Sequence, residues 1–262
     1  PGRFILDDIC HWRDVIKAPD ISHIDWETMA KKDLEHVDRT QTSVTATIHV
    51  GYFQQLMNFM GFTEGLCAML EEPDEVMALF EYMNQFYLQI CSKVRDYYKP
   101  DVWAITDDTA TATNPFISVE MYREMIKPFH ASEAKFAQEA GIPIDMHDCG
   151  RCEDFIEDWR DFGVCAWNPA QTMNDLAGIK KKYGNSLVLE GCWDSSGPAG
   201  WPDTSEEVVR AEVRKCIDNF APGGGFVFWA STYGAPDDEA IKAKARWITE
   251  EYDSYGRNFY RK

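Results

Sequence analysis

Short apolar, β-branched runs alternate along the chain with amphipathic stretches that repeat every three to four residues. Short apolar runs predict buried strands, and apolar positions three and four apart predict helices. Six runs predict strands, namely Ser43–His49, Val102–Thr106, Ile142–Met146, Val164–Trp167, Leu187–Glu190 and Phe226–Trp229. Strands that alternate with helices form parallel sheets, because each helix returns the chain to the same edge. The pattern therefore predicts an α/β fold.

The predicted helices have recognisable ends. Pro73 suits the first turn of a long helix that Pro100 ends, and Ser118 is an N-cap for a helix that runs toward Gly141. Pro128 predicts a kink or a break in the second of these helices, because proline donates no backbone hydrogen bond. Four further helices are predicted over Glu153–Asp161, Asp175–Tyr183, Ser205–Asn219 and Asp237–Tyr252.

Both a closed barrel and an open doubly wound sheet satisfy this alternation, and the strand ends distinguish them. No glycine-rich phosphate loop follows a strand, since Gly223–Gly225 precedes one and predicts a turn. Reactive side chains follow nearly every strand, namely His49, Asp107, Asp108, His147, Asp148, Cys149, Asn168, Cys192, Asp194, Ser231, Thr232 and Tyr233. Barrels of the TIM type place their active site at this end of the strands. We predict one (β/α)8 TIM-type barrel domain over residues 1–262, with two strands upstream of Pro1 or within an irregular lead-in, residues 1–40.

The chain is acidic, with 44 Asp and Glu against 26 Lys and Arg and a formal charge of −18. Such a surface repels phosphate backbones and anionic lipid headgroups, which argues against nucleic-acid and membrane partners. The eight cysteines lack the close spacing of a small disulfide scaffold. They predict reduced thiols and therefore a cytoplasmic protein.

Five collinear segments carry a family resemblance, namely GYFQQLMNFMGFTEG, TDDTATATNPFISVEMYREMIKPFH, GIPIDMHDCG, DLAGIKKKYGNSLVLEGCWD and APGGGFVFWASTYGAPDDEAI. Together they resemble the uroporphyrinogen decarboxylase-like superfamily from Gly51 to the C-terminus. That superfamily contains decarboxylases that use no cofactor and methyltransferases that exchange methyl groups with a corrinoid protein. The resemblance implies a barrel with its site at the mouth, and favours the methyltransferase branch.

Zinc is the metal that the resemblance implies, because these methyltransferases take two ligands from an H-x-C motif and a third from a late cysteine. His147 and Cys149 match the first two ligands, but no cysteine lies in the late segment from Gly223 to Thr232. Imidazole nitrogen and thiolate sulfur are zinc-type ligands, and Glu190 or Cys192 is the candidate third. In the alternative interpretation, the segment only shapes a turn and binds no metal.

Asp107 and Asp108 are candidate catalytic residues, together with His147. Adjacent side chains on a strand point in opposite directions, so we expect one acid to face the pocket and the other to be structural. The acid in the pocket would act as a general acid or base or stabilise a positive charge. In the alternative interpretation, both acids are helix caps or turn residues.

Aromatic and amide side chains at the predicted mouth are candidates for substrate binding, namely Trp167, Asn168, Trp193, Trp229 and Tyr233. If at least two of the aromatic rings face inward, the site suits a flat, apolar or cationic ligand. A methoxylated ring, a methylamine and the corrin face are of this kind.

The charge pattern separates the candidate functions. Uroporphyrinogen is a polycarboxylate, and its pocket needs several Arg or Lys residues, whereas the strand ends here offer only the nearby Arg151. We therefore expect methyl transfer from a small methylated substrate, an aryl or alkyl methyl ether, to the Co(I) of a separate corrinoid protein that docks transiently. Two alternatives stay open, namely a cofactor-free decarboxylase and a barrel that binds a ligand without catalysis.

Overall fold

The protein has an α/β fold built on a six-stranded parallel sheet. The computed structural model describes residues 4–235 and 237–261, without the side chain of residue 261. The strands are β1 (Thr45–Ala46), β2 (Val102–Thr106), β3 (Ile144–His147), β4 (Val164–Ala170), β5 (Val188–Cys192) and β6 (Phe226–Trp229). Their order in the sheet is their order in the chain, and every neighbouring pair is parallel. This succession is that of a partial TIM-type barrel.

A strand is present at each of the six predicted positions, but β1 comprises only two of the seven residues predicted for it. β1 is shorter than expected because it is an edge strand with pairing on one side only. β3 extends one residue further than predicted, to His147, and β4 runs on to Ala170. The described residues provide six strands and not eight, so closure into a (β/α)8 barrel stays a prediction.

The helices are α1 (Trp12–Val15), α2 (Trp26–Asp33), α3 (Tyr52–Met60), α4 (Phe62–Glu71), α5 (Pro73–Tyr98), α6 (Val119–Met121), α7 (Lys127–Glu139), α8 (Ile156–Asp161), α9 (Leu176–Tyr183), α10 (Glu206–Phe220) and α11 (Glu239–Glu251). The lead-in contributes the first two helices and, over residues 4–40, no strand. Ser118 caps α6, since its hydroxyl accepts a hydrogen bond from the Met121 N–H at 3.1 Å. The break predicted at Pro128 is confirmed as a π-helical segment, Tyr122–Ile126, between α6 and α7.

Alternation along the strands separates a helix-packed face from a cleft-lining face. Trp103, Ile105, Met146 and Leu189 are buried in the main hydrophobic core beneath the helices. A second core cluster joins β6 to α10 and α11. The residues that alternate with them along the strands, such as Thr106 and His147, therefore point away from the helices. This face carries the candidate site.

Two further features concern the described part of the chain. All eight cysteines lie within it, and each is a free thiol. None of the described helices combines the length and the apolar character needed to cross a bilayer.

Candidate functional site

The face of the sheet opposite the helix-packed core contains a cleft of about 710 Å³. Its lining residues come from the first five strands, from the segments that follow them and from α3, and are Thr45, Thr47, His49, Val50, Gln54, Asn58, Ala104, Thr106, Asp108, Asp145, His147, Asn168 and Glu190. Three of these residues are acids, and among the described residues that line the cleft none is Lys or Arg. The cleft therefore has a negative potential that favours cations over anions.

The two adjacent aspartates have different environments, as strand alternation predicts. Asp107 is fully buried, and its carboxylate accepts hydrogen bonds from the backbone N–H groups of residues 52–54, each at 3.0 Å. It caps the N-terminus of α3, where an added Cβ on Gly51 would lie 2.3 Å from the Asp107 carboxyl carbon. Asp108 lines the cleft instead, with about a third of its side chain exposed.

Asp108, His147 and Cys149 form a cluster whose potential ligand atoms all lie within 4.8 Å of one another. His147 Nε2 lies 3.9 Å from Asp108 Oδ1 and 3.8 Å from Cys149 Sγ. The Cys149 backbone N–H donates to Asp108 Oδ1 at 2.9 Å and so ties the two segments together. A carboxylate oxygen, an imidazole nitrogen and a sulfur are a donor set that suits zinc with one coordination position left open.

The environment of Cys149 bears on its ability to bind a metal. Burial raises the pKa of the thiol to about 12, and the nearby Asp108 carboxylate adds to this increase. The sulfur is therefore protonated at neutral pH unless a cation displaces the proton.

Asn168 and Glu190 orient His147 from the next two strands. Asn168 Oδ1 lies 2.8 Å from His147 Nδ1, and the Asn168 side chain is also hydrogen bonded to Glu190. A carboxylate only accepts, so the Asn168 amide hydrogens face Glu190 and its oxygen accepts from the Nδ1–H. His147 is then the tautomer whose Nε2 lone pair faces Asp108 and Cys149.

Asp145 lies at the floor of the cleft and is a site residue that the sequence analysis missed. Its residue is 7% exposed, and among the described residues its Oδ1 has no hydrogen-bond partner. Burial, followed by the nearby Glu190 carboxylate, raises the pKa of Asp145 to about 7. Alternation could have identified it, since Asp145 precedes His147 by two residues on β3 and so shares its face.

His49 also lines the cleft, but both of its ring nitrogens are engaged. Nδ1 accepts from the Gly51 N–H at 2.9 Å, and Nε2 lies 2.9 Å from a Glu133 carboxylate oxygen. Trp103 Nε1 donates to the same carboxylate at 2.7 Å. This buried network anchors the segment after β1 to α7 and leaves no lone pair of His49 for a ligand.

Cys192 does not join the cluster of three, contrary to its assignment as a metal-ligand candidate. It lines a separate crevice, of about 10 Å³, together with Trp193, Trp229 and Tyr233. The backbone at Cys192 is left-handed, with a φ of +58°, so the strand alternation ends there. Glu190 lines the main cleft and supports His147 through Asn168, but it is not part of the cluster of three.

The substrate-binding candidates are divided in the same way. Asn168 lines the main cleft, whereas Trp193, Trp229 and Tyr233 surround the small crevice, which has room for about one water molecule. Trp167 is fully buried under the sheet, where its indole N–H donates to the Asp148 carbonyl oxygen at 3.2 Å. Trp167 and Asn168 are adjacent on β4 and point to opposite faces of the sheet, so the Trp167 ring packs toward the helices.

Comparisons with known proteins bear on the family and the fold. The sequence profile described as uroporphyrinogen decarboxylase (URO-D) matches residues 35–239. No curated protein sequence matches the chain. Among solved structures, a methyltransferase from Methanosarcina mazei superposes with a TM-score of 0.61 at 15% sequence identity, and the match covers 87% of this chain and 64% of that one. The chain thus spans less than two thirds of that methyltransferase, and the likeness shows a shared fold.

Proposed function

The chain belongs to the uroporphyrinogen decarboxylase family, and we propose that within this family it is a methyltransferase. The proposed reaction moves a methyl group between a small methylated substrate and a corrinoid carried by a separate protein. The observation that carries the proposal is the cluster of Asp108, His147 and Cys149 in an open cleft. The fold shared with a methyltransferase from Methanosarcina mazei supports it.

Asp108, His147 and Cys149 are the residues that would bind a zinc ion. Their side chains offer three different donor atoms within a small space, and Asn168 directs the His147 lone pair toward the other two. When bound, the ion would supply Lewis-acid chemistry to the heteroatom that carries the methyl group. Asp107 is excluded from contact with substrate by its burial as the α3 cap, so Asp108 is the acid that we assign to the reaction.

The chain's own residues contribute position and charge to the transfer. The bond between the methyl carbon and the heteroatom breaks with both electrons left on the heteroatom. The corrinoid of the separate protein would supply the electron pair for the new bond to the methyl carbon. The heteroatom then takes a proton from water, which the open cleft admits, and Asp108 stabilises positive charge that develops on the departing methyl carbon.

Decarboxylation of a porphyrinogen is the less favoured activity. Its polycarboxylate substrate would meet Asp108, Asp145 and Glu190, and no described residue that lines the cleft is Lys or Arg. Carboxylates in a protein site normally pair with such cations. The third candidate is a barrel that binds a ligand without catalysis. Such a protein would have no catalytic activity, so no substitution could reduce it.

Methyl transfer to free cobalamin in the Co(I) state tests the proposal without the natural partner. Purified protein with one equivalent of zinc is mixed with small methyl ethers and thioethers, and consumption of Co(I) is followed by its absorbance. We expect His147→Ala and Cys149→Ser to slow the reaction at least about 100-fold. Cys10→Ser, which removes an exposed thiol of the lead-in, is the matched control. Equal rates in all four proteins would contradict the proposal.

A further inference from the structure

We propose that Asp145 and Glu190 form a cation subsite, and that the substrate is a methyl ether or thioether that also bears a protonated amine. The inference rests on the proposed methyl transfer and names the chemical class of its substrate. The ammonium group would bind at the floor of the cleft, and the methyl-bearing heteroatom would lie at the cluster of Asp108, His147 and Cys149.

The unsatisfied carboxylate of Asp145 is the first observation. Asp145 is 93% buried and lines the cleft, yet its Oδ1 has no hydrogen-bond partner among the described residues. Buried carboxylates in folded proteins are normally paired or hydrogen bonded, because burial of an uncompensated charge is costly. The missing partner is an N–H or O–H donor, and the cleft is the side from which a ligand can supply it.

The neighbouring strands leave room for such a ligand group. The residues level with Asp145 in the sheet register are Ala104 on β2 and Ala166 on β4. Methyl side chains offer no polar partner to the carboxylate and leave space above it. At this level of the sheet, the two neighbouring strands therefore provide Asp145 with neither a cation nor a side-chain donor.

The charges of the cleft select the sign of the ligand. Asp145, Glu190 and Asp108 contribute carboxylates, and no described lining residue is Lys or Arg. Of the two described histidines that line the cleft, His49 is held by Gly51 and Glu133, so His147 is the one imidazole left beside these three carboxylates. A neutral ether would leave the acidic floor uncompensated, whereas an ammonium group would neutralise it.

The spacing along β3 gives the length of the substrate. Asp145 and His147 are two residues apart on the same face, which corresponds to about 6.6 Å along the strand. An extended chain of about four carbons between nitrogen and the methyl-bearing heteroatom spans this distance. Such a molecule can contact the cation subsite and the cluster at the same time.

Binding of two matched compounds tests the inference. 4-Methoxybutylamine is cationic at neutral pH, and 4-methoxybutan-1-ol has the same length and methyl ether but no charge. We expect calorimetric or NMR titration at pH 7.5 to show at least about tenfold tighter binding of the amine. Asp145→Asn should remove this preference and Glu190→Gln should reduce it. Glu71→Gln, which removes an exposed charge at the end of α4, should retain it.

The outcomes separate this inference from the proposed function. The titrations contain neither corrinoid nor added metal, so they report on the subsite whether or not methyl transfer occurs. Equal binding of the two compounds, binding of neither, or a preference that survives in both Asp145→Asn and Glu190→Gln would overturn the cation subsite. Failure of the methyl-transfer proposal would appear instead as unchanged Co(I) in the presence of an amine that binds. Circular dichroism checks the folding of each variant, and Glu190→Gln decides the case should Asp145→Asn not fold.

Discussion

Asn168 Oδ1 on β4 lies 2.8 Å from His147 Nδ1 on β3, and this contact decides which nitrogen of His147 faces the cleft. A hydrogen bond to Nδ1 leaves the Nε2 lone pair toward Asp108 and Cys149. Glu190 maintains the arrangement, because its carboxylate selects the orientation of the Asn168 amide. Three neighbouring strands thus orient one imidazole ring.

Loss of this contact should weaken metal binding without removing a ligand. We expect Asn168→Ala to bind zinc about 10–100-fold more weakly than the native protein, because the ring and its tautomer are no longer held. Competition with a chromophoric chelator measures the affinity. Asn219→Ala, on the exposed face of α10, is the matched control. Equal zinc affinity of Asn168→Ala and the native protein would refute the orienting role.

Elemental analysis of purified variants tests which cysteine and which acid bind the metal. We expect near-stoichiometric zinc in the native protein and in Cys192→Ser, because Cys192 lies in the separate crevice. Cys149→Ser and Asp108→Asn each remove a donor of the cluster and should retain only a small fraction of the metal. Loss of zinc from Cys192→Ser, together with retention of zinc in Asp108→Asn, would show that Cys192 is a metal ligand and Asp108 is not.

The buried Asp107 should matter for stability. Asp107→Ala leaves three backbone N–H groups of α3 without their acceptor and the buried His130 without the carboxylate 3.3 Å away. We expect a loss of about 3 kcal/mol in the free energy of unfolding, measured in urea. Asp108→Ala, at the half-buried neighbouring position, should cost clearly less. Similar losses for the two variants would contradict the cap assignment.

Asp158 should contribute a stability that depends on pH. Burial opposes its ionisation, but hydrogen bonds and ion pairs with Arg123 and Lys127, at 2.9 and 2.7 Å, outweigh burial and lower the pKa of Asp158. A lowered folded-state pKa means that the stabilisation is complete above the ordinary value, about 3.9, and is lost as the pH falls below it. The deficit of Asp158→Asn in unfolding free energy should therefore be constant from pH 7 to about pH 5 and shrink below pH 4.

The matched control for this pH series is Asp161→Asn. Asp161 shares Lys127 but is 69% exposed, so its pair is worth little. We expect a small deficit for this variant throughout the series. A deficit of Asp158→Asn that grows as the pH falls below 4 would show that the sign is wrong.

Local patterns predicted the elements well because their causes are local. The capping hydroxyl of Ser118, the proline that begins α5 and the apolar period of β2 act within a few residues. The exact ends of strands were less predictable, because they depend on the neighbouring strand. β1 shortens at the sheet edge, and β4 continues through a register shift between Trp167 and Ala170.

The aromatic residues show where reasoning from strand ends alone fails. Trp167 and Asn168 are adjacent, and both were expected at the mouth, yet only Asn168 faces the cleft. Position near a strand end is visible in the sequence, but the side of the sheet that faces the helices follows from packing. Trp193 and Tyr233 follow the ends of β5 and β6, Trp229 is the last residue of β6, and all three line the crevice instead.

The sequence by itself determined the succession of parallel strands and helices, the polar strand ends and the H-x-C pair, because these follow from periodicity and residue chemistry over short distances. Tertiary structure decided that Asp107 caps α3 while Asp108 faces the cleft, and that Cys192 lies elsewhere. It also left Asp145 Oδ1 in the cleft without a hydrogen-bond partner among the described residues. These outcomes depend on sheet register and on which face the helices cover. Contacts between residues distant in the chain set both properties.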